Sequence, residues 1–100
     1  MDDLRILKEL SKDKTLSQRE LSKRLGISLG KVNYILNAII DTGWVKVEKF
    51  KNSKNKSAYM YILTPKGTAK KIDLTYHFLK KKTNEYNALR KEIEELRKEL

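Results

Sequence analysis

The apolar residues of this 100-residue chain fall into helical stripes at both ends and into strict alternation near the middle. In residues 2–12, Leu4, Leu7 and Leu10 share one helical stripe with Ile6 beside them, and Asp2 and Asp3 suit the positive end of the helix dipole. Residues 12–15 are polar and read as a loop. In Leu16-Ser17-Gln18-Arg19-Glu20-Leu21, Ser17 can cap the amide three residues on while Glu20 reaches back to the amide of Ser17. Leu16 and Leu21 occupy the two positions of a hydrophobic staple. Gly26 then closes a short helix, because glycine adopts the left-handed conformation that ends helices. Ile27-Ser28 repeats the device, with Ile27 stapling to Val32. The next helix carries Val32, Ile35, Leu36, Ile39 and Ile40 as a buried stripe and stops at Asp41-Thr42-Gly43. Two capped helices over residues 17–25 and 28–42, joined through a glycine turn, predict a helix-turn-helix.

After it the period changes. Residues 44–50 and 58–63 alternate as strands, and residues 51–57 between them are polar and basic with no apolar side chain. Three helices followed by a hairpin with a lysine-rich tip describe a winged helix. Thr64-Pro65 starts a further helix, with threonine as cap and proline at its first position. No breaker follows Gly67, so this helix is expected to run to the end, about 50 Å. The expected fold is mainly α with a small β-hairpin (α+β). Residues 1–66 form the winged helix-turn-helix and residues 67–100 a C-terminal dimerisation helix.

That last helix is heptad-patterned. Leu79, Tyr86, Ile93 and Leu100 take position a, extended upstream by Ile72, and Leu89 and Leu96 take position d, while Lys82 interrupts the seam. Glu85, Glu92 and Glu99 fall at g, with Arg90 and Arg97 at e. A parallel pair sets Glu85 against Arg90 and Glu92 against Arg97 of a second copy, whereas an antiparallel pair opposes like charges. The pattern predicts a parallel, two-stranded coiled coil and so a homodimer; a lone helix packed on its own domain is the alternative. Leu74 and Phe78 lie off the seam and are expected to pack on the winged domain.

Charge sharpens the functional reading. The net charge is +10, and residues 51–82 hold nine lysines against the single Asp73. Such a concentrated basic region is the footprint expected for a polyanion partner. Cysteine is absent, which excludes disulfides and thiolate chemistry and fits a reducing cytoplasm. No apolar run approaches the length of a membrane span, and Met1-Asp2-Asp3 does not begin a signal peptide. His77, the only histidine, has no cluster of acids around it in sequence, so a metal site is not expected. No nucleophile–base pair, phosphate loop or cofactor motif is present, and an enzyme is not expected.

The order Leu-Ser-Gln-Arg-Glu-Leu (16–21), Leu-Gly-Ile-Ser (25–28), Gly-Trp-Val (43–45) and Leu-Thr-Pro-Lys-Gly (63–67) resembles the MarR-type winged-helix regulators. The whole chain is most similar to the short, exopolysaccharide-associated subgroup of that family. The resemblance implies a homodimer on operator DNA, with the second helix of the motif in the major groove and the wing at the backbone or minor groove. The chain is short beside full-length members, whose extra flanking helices build the dimer and the effector pocket, so a small-molecule effector is not expected, though the resemblance leaves one open.

On the helix over residues 28–42, Gly30, Lys31, Asn33, Tyr34 and Asn37 are expected to face outward. Lysine donates to guanine, asparagine pairs with adenine, and tyrosine reaches a thymine methyl. Gly30 lets the backbone approach the duplex, and Ser28 at the helix start suits a phosphate oxygen. Ser17, Gln18 and Arg19 are expected phosphate contacts, and Lys49, Lys51, Lys54 and Lys56 of the wing add counterion release. Trp44 is expected to pack the hairpin on the helices; Tyr59 and Tyr61 share a face, and their role is open. Two other readings remain: a protein-interaction winged helix, which would expose an apolar patch, and an architectural DNA binder without sequence preference.

Overall fold

Leu4, Ile6, Leu7 and Leu10 turn one face of the first helix into the molecule, and none is more than 4% exposed. The computed structural model describes residues 1–50 and 58–100. Its elements follow as α1 (Asp2–Lys12), α2 (Gln18–Leu25), α3 (Leu29–Asp41), β1 (Val45–Phe50), β2 (Ala58–Leu63) and α4 (Pro65–Lys98). The core forms where α1, α2 and α3 meet the base of the hairpin, with Leu16, Leu21, Val32, Leu36 and Val45 essentially inaccessible to water. Each such side chain contributes about 1.5–3 kcal/mol by leaving water.

The local signals fold as their chemistry dictates. Ser17 Oγ accepts from the Glu20 amide at 3.1 Å and Glu20 Oε1 accepts from the Ser17 amide at 3.4 Å, completing the capping box. Gly26 closes α2 at φ 67°, a backbone that side chains with a Cβ rarely adopt. Ser28 Oγ caps α3 through the Lys31 amide at 3.1 Å, and Thr64 Oγ1 caps α4 through the Gly67 amide at 3.0 Å.

Two expectations shift at their margins. Ile35 and Ile40 are half-buried rather than buried, because they flank the stripe of Val32, Leu36 and Ile39 instead of lying at its centre. Trp44 stands just before β1 rather than within it. Its amide donates to the Ile39 carbonyl and its own carbonyl accepts from the Thr64 amide, so it closes α3 and ties off the hairpin.

β1 and β2 pair antiparallel in the register Val45↔Leu63, Val47↔Tyr61 and Lys49↔Tyr59. The Tyr61 amide also donates to the Lys14 carbonyl at 3.2 Å, fastening β2 to the α1–α2 loop. The shared face of the hairpin is therefore buried at its base and open farther out. Tyr61 is 8% exposed, while Tyr59, two residues along, is 49% exposed. Where α4 begins, a Cβ on Gly67 would lie 1.8 Å from the Trp44 carbonyl oxygen, so only glycine lets helix and hairpin approach this closely. Lys70 Nζ lies 5.2 Å from the centroid of the Trp44 ring. Leu74 packs on the core and Phe78 is half-buried, but from Leu79 onward α4 is exposed throughout. The helix projects as a rod and gives the molecule a long dimension of 66 Å.

Candidate nucleic-acid interface

The stripe that anchors α3 also fixes what it presents. With Val32, Leu36 and Ile39 inward, Gly30, Asn33, Tyr34 and Asn37 lie on the outer surface, and Tyr34 is 76% exposed. Apart from the adjoining backbone of α3 and its chain neighbours, nothing lies within 4 Å of a Cβ placed on Gly30, so the backbone there is open to approach. The first turn of α2 stands beside this face. The link is direct: Asn33 Nδ2 donates to Gln18 Oε1 at 3.3 Å. Asn37 Nδ2 in turn donates to Asn33 Oδ1 at 3.2 Å, and Gln18 Nε2 donates to the buried Tyr61 hydroxyl at 3.1 Å. Four side chains from α3, α2 and β2 thus form one line of hydrogen bonds.

Ser17 and Ser28 cap the two helices as acceptors, which leaves each hydroxyl proton free to donate to an anion. Arg19 is exposed on the first turn of α2. Lys31 sits apart from the asparagines. Its ammonium contacts Asp2 at 2.8 Å across the start of α1, and Asp2 also accepts from Arg5 at 3.1 Å. Lys31 first, and Arg5 second, hold the Asp2 carboxyl below its ordinary value of 3.8. Arg5 reaches on to the Leu25 carbonyl at the end of α2.

Lys49 is exposed on β1 with its ammonium 5.7 Å from the centroid of the Tyr59 ring. Lys51, Lys54 and Lys56 lie outside the described residues. The structure thus joins Gln18, Asn33 and Asn37 to Tyr61, leaves Ser17, Arg19, Ser28, Gly30 and Tyr34 exposed, and pairs Lys31 with Asp2. The line through Gln18 has no sequence signature, because its members are 15 and 43 residues apart. His77 lies 3.6 Å from the Asp73 carboxylate, and no group of three metal-binding side chains forms among the described residues.

A second surface runs along α4. Leu79, Tyr86, Leu89, Ile93 and Leu96 are 41–63% exposed on one face, and Leu100 follows the end of the helix. The charges beside them pair within the helix, Lys82 with Glu85 at 3.2 Å and Arg90 with Glu94 at 3.8 Å. No helix among the described residues is long and apolar enough to cross a membrane.

Comparison with known proteins places these features. Residues 3–46 match a family described as winged helix-turn-helix DNA-binding. No curated protein matches the chain. Among solved structures, a MarR/EmrR-family transcriptional regulator from Acinetobacter sp. ADP1 superposes with TM-score 0.63 at 22% identity, over 83% of this chain and 56% of that one. MarR from E. coli does so with TM-score 0.57 at 25% identity, over 71% and 51%. The protein TA0346 of Thermoplasma acidophilum reaches TM-score 0.66 at 24% identity, over 84% and 87%. The chain therefore has the winged helix-turn-helix fold of MarR-family regulators, and its first 46 residues include the stretch similar to the DNA-binding family. It spans about half the length of the Acinetobacter and E. coli regulators.

Proposed function

We propose that this chain, built on the winged helix-turn-helix shared with MarR-family transcriptional regulators, is a homodimeric regulator that binds double-stranded DNA sequence-specifically. One observation carries the reading: α3 buries Val32, Leu36 and Ile39 and turns Asn33, Tyr34 and Asn37 outward beside the start of α2. A helix so placed lies in the major groove, where asparagine amides and a tyrosine hydroxyl match base edges. Ser17, Ser28 and Arg19 then lie against phosphates, and the wing, with Lys49 on its strand and Lys51, Lys54 and Lys56 beyond, follows the backbone or minor groove. Each phosphate neutralised releases counterions, so binding weakens steeply with salt.

The dimer is read from α4. A soluble helix with a row of exposed apolar side chains at heptad spacing gains most by covering them, and a second copy in parallel covers them in register. Glu85 then meets Arg90, and Glu92 meets Arg97, across the pair. Placement in the short exopolysaccharide-associated subgroup rests on the sequence motifs alone.

Selection from random duplexes tests the reading. The expected product is an inverted repeat with half-sites about one helical turn apart. Asn33→Ala and Tyr34→Ala should change the selected sequence; unchanged preference in both would remove α3 from the reading role. Salt-sensitive binding without any preferred sequence would instead mark an architectural protein.

A further inference from the structure

The geometry points to Gln18 and Tyr61 as positioning residues that set how Asn33 and Asn37 are presented to a base pair, although Tyr61 is buried in the hairpin. This assignment rests on the DNA-binding reading of α3.

An asparagine reads adenine only when its amide is turned one way, accepting with Oδ1 and donating with Nδ2. A free asparagine on a helix surface rotates about its last torsion and presents either edge. Here each amide is held by the next. Asn37 donates to Asn33, Asn33 to Gln18, and Gln18 to the Tyr61 hydroxyl, at 3.2, 3.3 and 3.1 Å. Asn33 thereby spends one N–H on Gln18 and one oxygen lone pair on Asn37, leaving one donor and one acceptor for an outside partner. Asn37 keeps its oxygen and its second N–H.

The line is anchored at one end only. Tyr61 is 8% exposed, and β2 is fastened to Lys14 by the Tyr61 amide itself, so its hydroxyl is a fixed point. Gln18, half-buried at the start of α2, spans the distance from that point to α3. With its amide held at both ends, Gln18 orders Asn33 instead of serving chiefly as a phosphate contact. Part of the base preference is therefore set by a side chain that never meets the duplex. Such preorganisation matters because a reading group that is already aligned loses less freedom on binding.

The test joins two measurements on the full chain. In the free protein, side-chain amide resonances of Gln18, Asn33 and Asn37 are compared between wild type and Tyr61→Phe. Removing the hydroxyl should shift the Gln18 pair and, through it, the Asn33 pair, and speed their exchange with water. On DNA, wild type, Tyr61→Phe, Gln18→Ala and Asn33→Ala are titrated against the selected duplex and its single-base-pair variants. Tyr61→Phe and Gln18→Ala should lose discrimination, on the order of tenfold, at the base pair where Asn33→Ala loses it. Affinity for random duplex and the salt slope should stay at the wild-type values for Tyr61→Phe. Unmoved resonances, or full preference retained by Tyr61→Phe, would overturn the inference and leave DNA recognition by α3 standing. An equal loss on every duplex would show that Tyr61 serves only the fold, and overturns it too. A wild-type chain without base preference would overturn the proposed sequence specificity, and this inference with it.

Discussion

The Asp2 carboxylate lies 2.8 Å from the Lys31 ammonium, so the first residue of α1 holds a cation at the start of α3. In the proposed complex a phosphate would compete with that carboxylate. Asp2→Asn should therefore raise affinity for any duplex and steepen the dependence of log K on log salt by about one. Titration at several salt concentrations checks this. An unchanged slope would mean that Lys31 stays away from the backbone.

Acid stability should follow two aspartates. Lys31 and Arg5 lower the Asp2 carboxyl from 3.8, and bonds from the Thr15 hydroxyl and amide lower Asp13. A carboxyl lowered in the folded state contributes stability that is complete above its unfolded value and is lost as pH falls through its folded one. Denaturant midpoints should hold steady above about pH 5 and fall below pH 4. The Asp2→Asn, Asp13→Asn double variant should show a shallower fall over that window.

Gly67→Ala should destabilise the fold by about 1–3 kcal/mol, as overpacking does in a filled interior. The added carbon would meet the Trp44 carbonyl at 1.8 Å, and the backbone has to part to admit it. Denaturant unfolding measures the loss. An alanine variant as stable as wild type would mean that α4 can stand away from the hairpin at no cost.

Replacing Leu89 and Leu96 with glutamine should give monomers by analytical ultracentrifugation, with far weaker binding to an inverted repeat. The winged domain should keep its unfolding midpoint, because α4 leaves the body before Leu79. A persistent dimer would place the contact between copies elsewhere.

Ser17→Ala should cost about 1 kcal/mol, the worth of an N-cap, since the Glu20 amide loses its acceptor. Thermal unfolding reads that change directly.

What the sequence made legible was local. Caps at Ser17, Ser28 and Thr64, the turn at Gly26 and the heptads of α4 each depend on residues a few positions apart, where spacing alone decides geometry. Alternation put Tyr59 and Tyr61 on one face but could not rank their burial, which depends on how far the hairpin extends past the helices. The Gly67 approach needed the Trp44 carbonyl, and the Gln18 line needed three elements brought together. Asp2 fitted the helix dipole as expected, yet its contact with Lys31 follows from how α1 crosses α3. Lys31 therefore had every mark of a free lysine in the sequence and is engaged in the fold.

The contact between Gly67 and the Trp44 carbonyl bears on more than stability. It keys the root of a 34-residue rod to the residue just before the strand that leads into the wing, with no side chain between them to act as a cushion. In the proposed pair, two such rods joined along their far halves would hold the two reading heads as a rigid caliper holds its jaws. A caliper has one opening. Operators whose half-sites are moved apart by half a helical turn, about 5 bp, should be refused, because the second head would face the wrong side of the duplex.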